Sequence, residues 1–430
     1  MTERHPDRLV VHLAGRRIGT LINLGHERHI FTFDEGYSTA SERPTLSLSF
    51  KSRAGGLMAD PRPVKVRVPP FFSNLLPEGH LRDYLARQAG VKPQREFLLL
   101  RALGLDLPGG VVVLPETENA PDPVPNTPRI KTRDSPMFRF SLAGMQLKFS
   151  ALLEAKGGLT IPVGGAGGKW IVKLPSAQFP HVPENEFAMM ELARRIGIEV
   201  PEITLTPMED IAGLPEEARA ITGKALAVKR FDRTDDGGRI HMEDFAQVFG
   251  IFPEYKYEKR SYANIAAVLA AEVGEHAVVE LVRRLTFSIA IGNADMHLKN
   301  WSVIYPDGKN PKLSPAYELL STIPYISNQE IALTFGNSRS MTDITPEQMR
   351  RFADVARVST ATLWKAMLET VEATSEAWRS HDPLDLLPTK IKNEIGTHLF
   401  KFANNVLLHQ RKLSLSFNDN DEFSESKYMP

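Results

Sequence analysis

Short alternating segments and two helical patterns share the first hundred or so residues, and past about residue 240 the apolar positions recur at helical spacing. Leu9 to Leu13 and Arg17 to Leu21 flank Gly15 and predict a hairpin. Leu46 to Phe50 alternates as a half-buried strand does. Pro69 to Pro77 leads into a predicted helix from Glu78 to Ala89, and a second helical pattern covers Gln94 to Leu103. Prolines mixed with Asn, Asp and Thr then crowd the chain up to Pro136 without apolar periodicity, which predicts a linker. Two short strands around Ala143 and Gly144 are expected within Phe138 to Leu153, followed by a strand from Trp170 to Leu174. A helix from Glu184 to Gly197, ended by its glycine, and a strand from Ala225 to Phe231 complete this stretch. Ala263 to Glu272, Ala277 to Ile291, Pro346 to Val355, Thr360 to Trp378 and Pro388 to Leu413 predict helices. The expected organisation is an α/β unit over 1–115, a Pro-rich linker over 116–136, a mixed lobe over 137–235, a helical lobe over 236–417 and a polar, disordered tail over 418–430.

Composition narrows the chemistry. Lysine plus arginine equals aspartate plus glutamate at 52 each, so no global field points to nucleic acid, although a local basic patch stays open. The absence of cysteine removes disulfides, thiolate nucleophiles and cysteine-ligated metals. The N-terminus lacks the charged-then-apolar pattern of a signal peptide, and no apolar run is long enough to span a bilayer. A soluble, cytoplasmic protein without a membrane partner is the expectation.

Against that background, the segment from Ile291 to Asn300 carries the strongest signal. Phosphoryl transfer needs few protein groups, because most of the work is positioning and charge neutralisation. A phosphotransferase loop needs an Asp to receive the acceptor's proton and, five residues on, an Asn for Mg²⁺; Asp295 and Asn300 have that spacing. They fall between a predicted helix and the apolar stretch Trp301 to Tyr305. Upstream, Lys173 sits in a predicted strand, and the helix after it carries Glu186 and Glu191. A strand Lys paired with a helix Glu orients ATP in such sites. Downstream, Glu318 offers a second oxygen ligand for Mg²⁺.

Each feature also has a plain structural reading. An isolated Asp-to-Asn spacing recurs by chance, a strand Lys is usually a solvated edge residue, and Glu186 reads equally as a surface charge. His297 reads as a hydrogen-bonding structural residue in preference to a metal ligand. The glycines from Gly164 to Gly168 look like a phosphate loop, but Val163 and Trp170 stand where its motif requires Gly and Ser or Thr, so a turn between strands fits better. Ser141 to Lys148 is better placed, at the start of the mixed lobe, where the backbone amides of Ala143, Gly144 and Gln146 could cover phosphates. The order of the parts along the chain favours the functional reading. A metal hydrolase built on Asp295 and His297 lacks a helical ligand pair.

Four stretches together resemble the HipA-type serine/threonine kinase toxins of bacterial type II toxin–antitoxin systems. They are Phe72 to Gly79, Ser141 to Lys148, Asn293 to Asn300 and Leu313 to Tyr317, and the likeness spans nearly the whole chain. The resemblance implies an α+β, atypical bilobal protein-kinase-like fold with an added N-terminal α/β domain. It implies Asp295 as catalytic base, Asn300 and Glu318 at the metal, and Lys173, Glu186, Lys299, Lys148 and the 143–146 loop at the nucleotide. Ser141 would match the loop serine whose autophosphorylation switches such kinases off, since a phosphate there would repel the charge of ATP. Family members use ATP and Mg²⁺, phosphorylate a target such as glutamyl-tRNA synthetase, and so arrest translation. They are held in check by a small DNA-binding antitoxin, HipB, through which they reach operator DNA. At one position the chain departs from the pattern: the family has Asp where Glu318 stands, and the extra methylene displaces the carboxylate by about one ångström. That departure leaves open a second reading, a pseudokinase acting as a nucleotide-binding co-repressor scaffold.

Overall fold

The computed structural model describes residues 8–52, 54–58, 62–116, 148–153, 159–160, 168–176, 178–214, 216–327, 330–380 and 383–425. The chain forms two compact units, one of Met1–Pro183, Pro201–Lys256 and Leu298–Pro315, the other of Glu184–Val200, Tyr257–His297 and Ala316–Pro430. Most of the sheet lies in the first unit, and helices dominate the second. The linker expected over 116–136 falls outside the described residues from position 117 onward.

In the first unit, strands Arg8–Leu13 and Arg16–Asn23 form the expected hairpin. Ala14 and Gly15 take φ of 51° and 74°, the left-handed pair of a two-residue turn whose twist matches the flanking strands. The antiparallel sheet runs in the order Val64–Lys65, Arg28–Phe33, Arg16–Asn23, Arg8–Leu13, Val111–Pro115. Its inward residues Leu9, Val11, Ile18 and Leu21 pack with Phe72, Leu75, Phe97 and Leu100 from the helical segments. The strand expected over Leu46 to Phe50 is instead a 3-10 turn, Leu48–Phe50. Side chains take the backbone groups a strand would have paired: Ser47 Oγ accepts from the Ser49 amide, and the Glu243 carboxylate accepts from the Leu48 amide at 2.9 Å.

A six-stranded sheet comes next, ordered Ile211–Ala212, Leu159–Thr160, Lys148–Leu153, Trp170–Lys173, Lys224–Lys229, Ile203–Pro207. Packing requires a glycine at 168, just before the strand Trp170–Lys173: a Cβ there would lie 2.4 Å from the Ala151 backbone. A third sheet joins His241–Asp244, Ser302–Tyr305 and Lys312–Leu313.

Two buried polar clusters tie these sheets together. In one, Arg230 binds Asp232 with two hydrogen bonds of 2.9 Å, Arg233 reaches Asp232 at 2.8 Å and Asp106 at 2.9 Å, and the Gly109 amide donates to Asp232 at 2.7 Å. In the other, fully buried Glu243 accepts hydrogen bonds from Ser47, Leu48 and Tyr305. Burial pushes its carboxyl up to about 7, against the lowering effect of those donors. A carboxyl raised in the folded state stabilises the fold below its unfolded pKa of about 4.5, and the contribution is lost as pH climbs through about 7. Glu243→Gln is therefore expected to flatten the fall in thermal midpoint between those pH values. Parallel pH profiles for the two proteins would contradict this.

In the second unit, helices Tyr262–Glu272 and Pro346–Ala356 both open with capping boxes, Ser261 with Asn264 and Thr345 with Gln348. Tyr262–Glu272 packs on Pro346–Ala356, and Glu275–Ala290 packs on Thr360–Arg379. The helix expected to end at Leu413 runs on as Thr389–Glu425, so its backbone stays helical into the stretch expected to be disordered.

Candidate active site

In the second unit the helix Glu275–Ala290 ends in a tightly held loop. Gly292 adopts φ of 72°, which turns the chain out of the helix. Asn293, 1% exposed, organises the loop from within. Its side chain accepts from the Asp295 amide at 2.9 Å and donates to the Glu318 carbonyl at 3.1 Å, while its own amide donates to Ser288 O at 2.9 Å. The Ala294 amide donates to Thr322 Oγ1 at 2.8 Å, and Tyr262 donates its hydroxyl proton to Met296 O at 3.0 Å. These bonds fix the backbone on both sides of Asp295 and leave its side chain 48% exposed. Tyr257 donates to Asp295 Oδ1 at 2.5 Å, and its ring meets the His297 ring edge-on with centroids 4.9 Å apart. His297 Nε2 lies 4.0 Å from the same carboxylate oxygen. An exposed carboxylate on a rigid loop can receive a proton from an incoming hydroxyl.

Glu318, whose carbonyl Asn293 holds, has φ of 56°. A left-handed backbone is common for Asn and Asp and unusual for Glu, so the position carries strain of about 1–3 kcal/mol. Asn185 pins the next turn, donating to Ser321 O at 2.9 Å and accepting from the Ser321 amide at 3.1 Å. Its neighbour Glu186 is only 1% exposed, which rules out the surface-charge reading.

The first unit holds the other expected residues. Lys173 is 4% exposed and lies inside the six-stranded sheet, paired on both sides, so it is not a solvated edge residue. The register sets it opposite Leu226 on one flank and Lys148 on the other. Asn300 closes a 3-10 turn, Leu298–Asn300, whose first amide donates to Lys256 O at 3.1 Å. Lys299 reaches Glu78 at 2.7 Å and the Asn74 carbonyl at 3.0 Å. Burial alone would raise the Glu78 carboxyl, but the Lys299 and Lys256 ammoniums hold it at about 2. Ser141, Ala143, Gly144 and Gln146 lie outside the described residues.

Reading the sequence missed Tyr257, Asn293, Thr322 and Asn185. Asn293 was signalled by its place directly after Gly292 and two residues before Asp295; the other three had no local signal. Among the described residues, no group of three His, Cys, Asp or Glu side chains converges as a metal cage.

Residues 9–114 match the model of the HipA N-terminal domain, and residues 140–378 match that of the HipA-like C-terminal domain. The chain is 50% identical to "Putative kinase Y4dM" of Sinorhizobium fredii over 91% of its own length and 96% of that protein. It is 27% identical to the serine/threonine-protein kinase toxin HipA of Shewanella oneidensis, covering 66% of this chain and 70% of the toxin. The HipA, HipB and operator DNA complex of Shewanella oneidensis contains a chain of similar fold. That likeness has a TM-score of 0.69 at 22% identity and covers 93% of this chain and 96% of the other. The shared architecture is α+β and kinase-like. Among the described residues, no helix is long and apolar enough to cross a membrane.

Proposed function

The chain belongs to the HipA family, and from that premise we propose that it is a serine/threonine protein kinase toxin that transfers the γ-phosphoryl group of ATP to a protein. The observation that carries this reading is Lys173. Lysine is seldom withdrawn from water without a task, and this one sits 4% exposed within a paired strand. Nucleotide phosphates are anions that a lysine so placed would bind, and Glu186 is the acid that would orient Lys173 toward them. Asp295 receives the proton of the acceptor hydroxyl. Asn300 and Glu318 would hold Mg²⁺, which when bound neutralises phosphate charge. The backbone amides of the 143–146 loop and Lys148 cover the phosphates, and Ser141 is the autophosphorylation site that withdraws the loop.

A HipB-like antitoxin is the proposed partner, supported by the named components of the Shewanella complex, and operator DNA is reached through it. An aminoacyl-tRNA synthetase such as glutamyl-tRNA synthetase is the proposed target, and the cytoplasm the site of action. Glu318, one methylene longer than the Asp of the family pattern, favours one competing reading, a co-repressor scaffold that binds nucleotide without transferring phosphate.

The deciding experiment is transfer of labelled phosphate from Mg·ATP to the protein itself and to a bacterial lysate, with and without chelator. Chelator-sensitive labelling is expected. Nucleotide binding with no transfer in either Mg²⁺ or Mn²⁺ would overturn the kinase reading and leave the scaffold.

A further inference from the structure

Lys299, Glu78 and Lys256 form a closed ring inside the first unit. An ammonium has three donors, and Lys299 directs its own at Glu78 Oε1, 2.7 Å away, and the Asn74 carbonyl, 3.0 Å away, with Asp244 Oδ2 at 4.0 Å. The other Glu78 oxygen takes Lys256 at 2.8 Å, and the Lys256 carbonyl accepts the amide of Leu298, next to Lys299, at 3.1 Å. Asn74 is itself fixed, donating its side-chain amide to Ile251 O at 2.8 Å and Pro70 O at 2.9 Å. Two lysines thus share the Glu78 carboxylate, with Asp244 beside Lys299 outside the ring. The Lys299 side chain is 14% exposed, so a nucleotide phosphate could capture it only by leaving Glu78 beside a single cation.

From this geometry we infer that Glu78 and Lys299 are positioning residues: the N-terminal domain holds the 298–300 turn, and with it Asn300, in the shape needed to bind metal. The inference rests on the kinase reading of Asn300, and it replaces the nucleotide contact expected at Lys299. It makes the N-terminal domain part of the catalytic apparatus, through a pair that no local sequence pattern links.

The test is a double-mutant cycle on the full chain with Glu78→Ala, Lys299→Ala and both together, plus the near-isosteric Glu78→Gln as a variant that keeps the fold. Each single alanine variant is expected to lower kcat at least about tenfold, because small displacements of reacting groups are expensive. The Mg²⁺ concentration for half-maximal rate should rise, the KM for ATP should stay within about twofold, and the double variant should be no worse than either single. A tenfold or larger rise in ATP KM confined to Lys299→Ala, with Glu78→Ala and Glu78→Gln behaving as wild type, would overturn the inference. A second readout does not depend on catalysis: ADP affinity by calorimetry together with amide exchange across 297–301. Unchanged ADP affinity with faster exchange in both single variants supports the positioning role even if the wild type transfers no phosphate. Weaker ADP binding in Lys299→Ala alone, with exchange unchanged in Glu78→Ala, refutes it.

Discussion

Asparagine in place of Asp295 is expected to reduce phosphoryl transfer by about 10²- to 10⁴-fold, the usual worth of a positioned general base. The substitution is nearly isosteric, and the loop does not depend on the carboxylate. Asn293 binds the Asp295 amide, and the flanking bonds run from Ala294 to Thr322 and from Tyr262 to Met296. An asparagine amide oxygen still accepts from the Tyr257 hydroxyl, so the main loss is the ability to take a proton. Nucleotide affinity should therefore stay within about threefold while kcat collapses, the pattern of an interaction made only in the transition state. Labelling rates and ADP binding on the same preparations provide the check. Asp295→Asn activity within about threefold of wild type would remove Asp295 from the mechanism.

The second large effect is structural. Asp232, 4% exposed, is the shared acceptor for Arg230, Arg233 and the Gly109 amide. Burial alone would raise its carboxyl, but the two guanidiniums beside it keep it below the usual carboxylate range. Asp232→Ala removes the acid and leaves two buried arginines with Asp106 as their remaining acidic partner in the cluster. Breaking a buried pair from one side destabilises by about 3–5 kcal/mol. Chemical denaturation followed by tryptophan fluorescence should report a loss of that order, and Asp232→Asn a smaller one because the acceptor oxygen survives. A loss under about 1 kcal/mol would mean that water or Asp106 satisfies the arginines unaided.

Helices such as Thr360–Arg379 and Pro346–Ala356 were legible in the sequence because apolar spacing and capping residues act within a few positions of each other. The Asp295-to-Asn300 spacing was legible for the same reason, since both residues fall within a few positions of one stretch of chain. Leu46 to Phe50 deceived because its alternation is real, but its backbone donors are claimed by Ser47 and by Glu243, a residue far along the chain. The Glu78–Lys299 pair and the Tyr257 contact to Asp295 were invisible because tertiary packing alone brings those side chains together. Burial did what periodicity could not for Lys173 and Glu186. Nothing in a run of residues distinguishes a cation or acid facing water from one withdrawn from it.

The first unit is assembled from three separated stretches of chain, the last of them ending at Pro315. On a translating ribosome, the hairpin sheet and its helices emerge early, yet the Tyr305 hydroxyl that Glu243 accepts from and the Lys299 ammonium that Glu78 accepts from are still unmade. At about 5–20 residues per second, the wait between residue 115 and residue 315 is roughly 10–40 seconds. During that interval the nascent N-terminal domain exposes Glu78 without either lysine until residue 256 and without Lys299 until residue 299, and Leu48 with its amide waiting for Glu243. The unit is therefore vectorially incomplete until most of the chain has been synthesised, and a stall or truncation before residue 298 yields a first unit without the turn that carries Asn300.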